Sequence, residues 1–164
     1  MLTETSLAAL VESAVAADLT VATAESLTGG MVAATLVQVP GSSGMFQGGI
    51  IAYQNTIKER LLGVSASLLE TLGAVDPQVA CAMALGACTA AGARVGISTT
   101  GVAGPEPHQG KDVGHVYIGV AFDGEAKSYE YHFAGDREMI RVQATQEAIS
   151  LLEQVIHAAG EQKL

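Results

Sequence analysis

Apolar residues recur along this chain with two different periods, and the switches between them lay out the elements. From Thr3 to Asp18, Leu7, Leu10, Val11, Ala14 and Val15 fall three and four apart, which predicts an amphipathic helix capped by Thr3 or Thr5. Leu19–Ala24 is short and partly β-branched, so it reads as a strand. Glu25–Gly30 reads as a turn, and Met31–Val39 as a helix stopped by Pro40-Gly41. Gly49–Tyr53 is a second apolar run of strand length. Asn55–Leu62 and Ser67–Leu72 read as short helical pieces. Asp76-Pro77 sets a capping residue before a proline at the first helical position and opens a helix to Ala91. That helix is rich in Ala and Gly, small enough for close packing on a sheet. Val95–Thr100 is a third strand, and Gly101–Gly114 is a loop.

Strict alternation then takes over. Val116, Ile118, Val120 and Phe122 line one face of a strand, Asp123-Gly124 is a favoured two-residue turn, and Ala126–Phe133 returns as its partner. Gly135-Asp136 opens a long helix to about Ala159, with Ile140, Ala144, Ala148, Leu151, Leu152 and Val155 as its apolar stripe. Strands that first alternate with helices and then form a hairpin predict an α/β fold: a mixed sheet with helices on both faces. No linker, repeat or low-complexity tract divides the chain, so one domain is expected over 1–164.

Composition narrows the function classes. The chain is 49% hydrophobic and 15% charged, which excludes intrinsic disorder. Its formal net charge is −9 and it has no run of Lys/Arg, which argues against nucleic acid and anionic membranes as partners. No apolar stretch approaches the ~20 residues of a membrane span. The first residues carry Glu4 and no Lys or Arg, unlike a signal peptide. Cys81 and Cys88, seven residues apart, would stand about 10 Å apart on a helix at ~1.5 Å per residue, too far for a disulfide. They read as two small buried thiols in a reducing compartment.

Candidate chemistry gathers in three loops, because open α/β sheets bind ligands beyond the carboxyl ends of their strands. The first is Ala24-Glu25-Ser26-Leu27-Thr28-Gly29-Gly30. It precedes a helix, so it fits either an anion site made of free N–H groups or a turn capped by Ser26 or Thr28. The second runs from Pro40-Gly41-Ser42-Ser43 through Phe46 and Gly48 into Tyr53-Gln54-Asn55 and Lys58. A serine, a tyrosine and a lysine are close in sequence here. A serine attacks only if a base takes its proton, and a lysine is a base only if burial or positive charge lowers its pKa. Lys58 fits that role, or a solvated place beside Glu59 and Arg60. The third loop, Thr100-Gly101-Val102-Ala103-Gly104-Pro105 to Gly114, fails as a P-loop: Pro105 stands at the first glycine position and Asp112 at the metal-binding Ser/Thr position. Arg137 and Arg141, one helical turn apart, fit a phosphate clamp or a surface pair offsetting Asp136 and Glu138. The four histidines show no H-x-x-x-H or H-E-x-x-H spacing, which disfavours a zinc hydrolase.

Taken in order, Thr23–Gly30, Pro40-Gly41-Ser42-Ser43 with Phe46 and Gly48-Gly49, Tyr53-Gln54-Asn55 with Lys58, Gly73-Ala74-Val75, Thr100–Pro105, Val113–Tyr117, and Gly135-Asp136-Arg137 with Arg141 resemble the CinA C-terminal domain family. The resemblance covers about residues 5–158 and looks like the stand-alone form, without the further N-terminal domain of larger relatives. It implies a three-layer α/β/α sandwich, a homodimer in the cytoplasm, and no cofactor or metal. The activity it implies is deamidation of nicotinamide mononucleotide (NMN) to nicotinate mononucleotide and ammonia. By motif, its catalytic serine, tyrosine and lysine fall on Ser26 or Ser43, Tyr53 and Lys58. Substrate contacts fall on Thr28, Gly29, Gly30, Phe46, Gly48, Asn55, Gly101, Ala103, Gly104, Arg137 and Arg141.

Ser43 is the favoured nucleophile on chain proximity to Tyr53 and Lys58, with Ser26 supporting. The loop 105–113 departs from the family pattern, as does Asp76, where the family often has Ser. A nucleotide-binding or interaction module with little catalysis is the alternative reading. Hydrolysis of another amide-bearing nucleotide is a third.

Overall fold

In the computed structural model, which describes residues 3–161, a five-stranded sheet carries helices on both faces. Met1, Leu2 and residues 162–164, the ends of the expected domain span, lie outside the described residues, as does the side chain of Thr5, the alternative first cap. The elements in chain order are α1 (Glu4–Ala16), β1 (Val21–Glu25), α2 (Met31–Leu36), a 3-10 turn (Ser42–Gly44), β2 (Phe46–Ile51), α3 (Asn55–Leu62), α4 (Ala66–Leu72), α5 (Pro77–Ala91), β3 (Val95–Gly101), β4 (His115–Phe122), β5 (Glu125–His132) and α6 (Arg137–Glu161). The strand order is β2-β1-β3-β4-β5. β1 runs parallel to both neighbours, β4 is antiparallel to β3, and β5 to β4. The chain leaves β1 toward β2 and then returns past it to β3. The carboxyl ends of β1 and β3 therefore flank a switch point in the topology.

The local signals explain most boundaries. Thr3 accepts from Ser6 N and closes a capping box with the Ser6 side chain. Asp76 Oδ1 accepts from Gln78 N and Val79 N ahead of Pro77. Asp123 and Gly124 both take positive φ, as the tight hairpin turn requires. The second strand differs from expectation. It begins at Phe46 rather than Gly49, because Gly48 and Gly49 pair with Ala22 and Thr23 of β1.

Alternation sorts the two cores. Val21, Val95, Ile97, Val116, Ile118 and Val120 face α1, α2 and α6. Ala22 and Ala24 face the other way, toward Leu62, Leu69, Val79, Met83 and Ala87 of α3, α4 and α5. α5 lies hard against the sheet, as its small side chains predict. A Cβ on Gly96 would overlap Ala84 O, one on Gly119 would overlap Ala80 O, and one on Gly86 would overlap Leu62 O of α3. Ser98 Oγ donates to Ala80 O at 2.6 Å in the same seam. Cys81 and Cys88 are half-buried rather than buried, both are free thiols, and burial pushes Cys88 up to about 11. Among the described residues, no helix is long and apolar enough to cross a membrane.

The seam gives a direct test. Gly119→Ala must push α5 away from β4, so urea denaturation is expected to show a loss of about 1–3 kcal/mol. Gly124→Asn in the hairpin turn, where Asn tolerates the positive φ and nothing crowds the site, is expected to stay within about 1 kcal/mol of the parent.

Candidate active site

The site begins with the alternation of β1. Glu25 turns toward α2, and Ser26, one residue on, turns toward α3. Glu25 is 1% exposed, and its carboxylate is held on all sides. Oε1 accepts from Val32 N at 2.8 Å and Thr28 Oγ1 at 2.6 Å, and Oε2 accepts from Ala33 N at 3.0 Å. The amino end of α2 is thus filled by the protein's own anion. The helix end behind the first loop is therefore not an open anion site, and neither Ser26 nor Thr28 caps the helix. Thr28 is locked between Glu25 and Thr99, whose Oγ1 lies 2.8 Å away. Gly29 and Gly30 take positive φ, which lets this short loop close.

Arg141 reinforces the same loop. Its Nε donates to Leu27 O at 2.8 Å and its Nη2 to Thr28 O at 3.4 Å. With Ser26 N donating to Thr99 O at 3.0 Å, Ser26 is fixed from several directions.

Lys58 comes from α3, on a buried side of that helix, and is 1% exposed. Its Nζ has three oxygen neighbours: Ser26 Oγ at 3.1 Å, Ala52 O at 2.8 Å and Tyr53 O at 3.0 Å. No carboxylate pairs with it among the described residues. Burial without a counter-charge lowers its pKa from 10.5 to about 8. The two carbonyls only accept. A neutral amine gives them its two hydrogens, and its lone pair is then left for the Ser26 hydroxyl. This is the arrangement of a general base beside a nucleophile.

Ser26 and Lys58 open into a cleft of about 520 Å³ beyond the carboxyl ends of β1 and β3. Tyr53, Asn55, Gly101, Ala103, Gly104 and Arg137 of the expected set also line it. The loop from Gly101 to Gln109 forms one wall, and Gln109 Oε1 accepts from Ala74 N on the other side. Arg137 donates to Gly104 O at 2.6 Å and to the Tyr53 hydroxyl at 3.2 Å, so it stands at the mouth. Tyr53 is 55% exposed. Its hydroxyl meets Arg137, whereas its carbonyl meets Lys58.

Other expected residues lie elsewhere. Ser43 sits exposed on the 3-10 turn before β2. The end of that turn meets the amino end of β1, where Val21 N donates to Met45 O. Ser26 lies at the far end of the same strand, some 16 Å away at ~3.3 Å per residue. Ser43 is therefore corrected as the favoured nucleophile: proximity in sequence to Lys58 is undone by the whole length of β2. Phe46 packs against the core beneath α1 and α2, and Gly48 is a strand residue. Thr28, Gly29, Gly30 and Arg141 shape the loop from behind without lining the cleft, so the two arginines are not one clamp. Sequence reasoning passed over Glu25. A lone acid ahead of Ser-x-Thr-Gly-Gly was its only signal.

Protonation of Lys58 also links the site to stability. Between pH 8 and 10.5 the unfolded chain keeps a proton that the native protein has lost, so the native state gains as pH rises. Against Lys58→Met, which lacks this titration, the wild-type protein is expected to gain about 2–3 kcal/mol from pH 7 to pH 10, read by urea denaturation at both pH values. An equal pH response of the two proteins would contradict the shift.

Comparison with known proteins agrees with this architecture. The model of the CinA C-terminal domain matches residues 3–156. A CinA-like protein of Frankia casuarinae is 42% identical over 137 residues, covering 84% of this chain and 32% of its own length. The chain spans about a third of the length of the curated relatives it matches. Among solved structures, a competence-damaged protein (CinA) superfamily protein from Klebsiella pneumoniae superposes with TM-score 0.92 at 28% identity, covering 96% of this chain and 99% of that one. One from Escherichia coli superposes with TM-score 0.88 at 34% identity, covering 93% and 90%. The chain belongs to the CinA C-terminal domain family.

Proposed function

We propose that this chain is an amidohydrolase that converts NMN and water to nicotinate mononucleotide and ammonia, with Ser26 as nucleophile and Lys58 as base. The observation that carries the reading is the buried Lys58 amine, 3.1 Å from Ser26 Oγ and anchored by two carbonyls. Ser26 Oγ attacks the carboxamide carbon as its proton passes to Lys58 Nζ. The Lys58 ammonium then protonates the departing nitrogen, ammonia leaves, and an ester on Ser26 remains. Water attacks the ester with Lys58 again taking the proton, and the carboxylate product and Ser26 are released.

Leu27, Ala103 and Gly104 line the cleft, and their N–H groups have no acceptor among the described residues. These groups are suited to the oxyanion, a contribution of roughly 3–4 kcal/mol per donor where such contacts have been removed. Arg137 at the mouth meets the 5′-phosphate, and Tyr53 and Asn55 border the same side. Because the chain carries a net charge of −9, an anionic substrate depends on this local group rather than on the overall field.

Ammonia release from NMN by the purified protein tests the reading. Ser26→Ala and Lys58→Ala are each expected to lose at least about a hundredfold in kcat, while Ser43→Ala stays within about threefold of the parent. The kcat/KM profile is expected to rise about tenfold per pH unit below pH 8 and level above it, as a base with a pKa of about 8 becomes neutral. NMN binding without ammonia release would favour the module without catalysis. Activity on another amide-bearing nucleotide and none on NMN would move the substrate while leaving the chemistry.

A further inference from the structure

We propose that His115, Glu130 and His132 form a site for a divalent first-row transition-metal ion on the β4–β5 hairpin, outside the cleft. The register of the hairpin builds it. His115 stands directly opposite His132, and Tyr117 opposite Glu130. Phe133 N donates to Gly114 O at 2.9 Å, which makes His115 and His132 a non-hydrogen-bonded pair, the type whose side chains come closest. Their rings are 4.4 Å apart between centroids. Glu130, two residues before His132, lies on the same face of the strand. Its Oε1 is 2.7 Å from His115 Nε2 and 3.5 Å from His132 Nε2.

The dimensions fit an ion. One ligand atom from each of the three residues lies within 4.8 Å of the other two. A tetrahedral ion with bonds of ~2.0–2.1 Å holds its ligand atoms about 3.3 Å apart. Side-chain adjustments of an ångström or less achieve this, and the side chains of Glu130 and His132 are 52% and 68% exposed and free to make them. The His115 side chain is only 11% exposed, so it supplies the fixed point. Tyr117 donates to Glu130 Oε1 at 3.1 Å, an outer contact of the kind that orients a ligating carboxylate. Two imidazoles and a carboxylate without a thiolate suit Zn²⁺, Co²⁺, Ni²⁺ or Cu²⁺, with water completing the coordination. As the ion enters, it takes the place of the direct contact between His115 Nε2 and Glu130 Oε1.

The site would fasten the edge strand to the cleft wall. His115 O accepts from Val102 N at 2.9 Å and Gly114 N donates to Val102 O at 2.8 Å, and Val102 borders the cleft.

The test is titration of untagged, chelator-treated protein with Co²⁺, followed by competition with Zn²⁺. One equivalent of Co²⁺ is expected to bind with the visible absorption of a low-symmetry site, and Zn²⁺ to displace it. At a hundred times its Kd, Zn²⁺ is expected to raise Tm by roughly 5–10 °C. His132→Ala, at an exposed position that does not threaten folding, is expected to weaken binding at least tenfold, and Glu130→Gln likewise. His157→Ala, on the surface of α6, is expected to leave binding unchanged. Absence of stoichiometric binding would overturn the site. So would affinity unaltered by His132→Ala, or equally weakened by His157→Ala.

Discussion

The structure turns on one buried amine. Lys58 is carried into the interior without a counter-ion, and its Nζ meets two main-chain carbonyls and one hydroxyl. A charged ammonium there forfeits hydration that three neutral oxygens do not fully replace. The protein meets that cost by lowering the pKa to about 8. The group is then neutral in a useful fraction of molecules near physiological pH. The carbonyls of Ala52 and Tyr53 are fixed acceptors and cannot exchange roles. They therefore decide where the lone pair points, and the Ser26 hydroxyl occupies that direction.

Everything around Ser26 serves that alignment. Glu25 fills the amino end of α2 with a carboxylate, pinning the loop from one side. Thr28 and Thr99 close it beneath, and Arg141 grips the Leu27 and Thr28 carbonyls from α6. A buried carboxylate supported by two backbone N–H groups and a hydroxyl is satisfied without an ion pair. It consequently leaves Lys58 with no nearby negative charge to raise its pKa. Separating the acid and the amine to opposite faces of β1 is what allows one to be a fixed support and the other a base.

The sequence made the order of elements legible because period and capping chemistry agree along most of the chain. Asp76-Pro77, Asp123-Gly124 and the apolar stripe of the last helix each announce a local conformation that the fold retains. Where an answer depended on distance between elements, chain order misled. Ser43 is closer than Ser26 to Lys58 in sequence, but β2 carries the chain the length of the sheet between them. Phe46 and Gly48 look like loop in the sequence because their pairing with β1 is a long-range event with no local signature. Arg137 and Arg141 share one face of a helix, but the turn between them, about 6 Å along the axis, is enough to bring Arg137 to Gly104 O and the Tyr53 hydroxyl at the cleft mouth and Arg141 to the Leu27 and Thr28 carbonyls of the loop behind it. His115 and His132 illustrate the same limit. Their meeting is set by hairpin register and not by any spacing a ligand motif would reveal.

The central claim is that burial makes Lys58 the base that activates Ser26. The most direct measurement is its own titration, followed by NMR of protein with ¹³C-labelled lysine side chains and assigned by the resonance lost in Lys58→Met. A Lys58 resonance that titrates near pH 8, well below the other lysines, is the predicted result. A midpoint near 10.5, shared with the exposed lysines, would contradict the account.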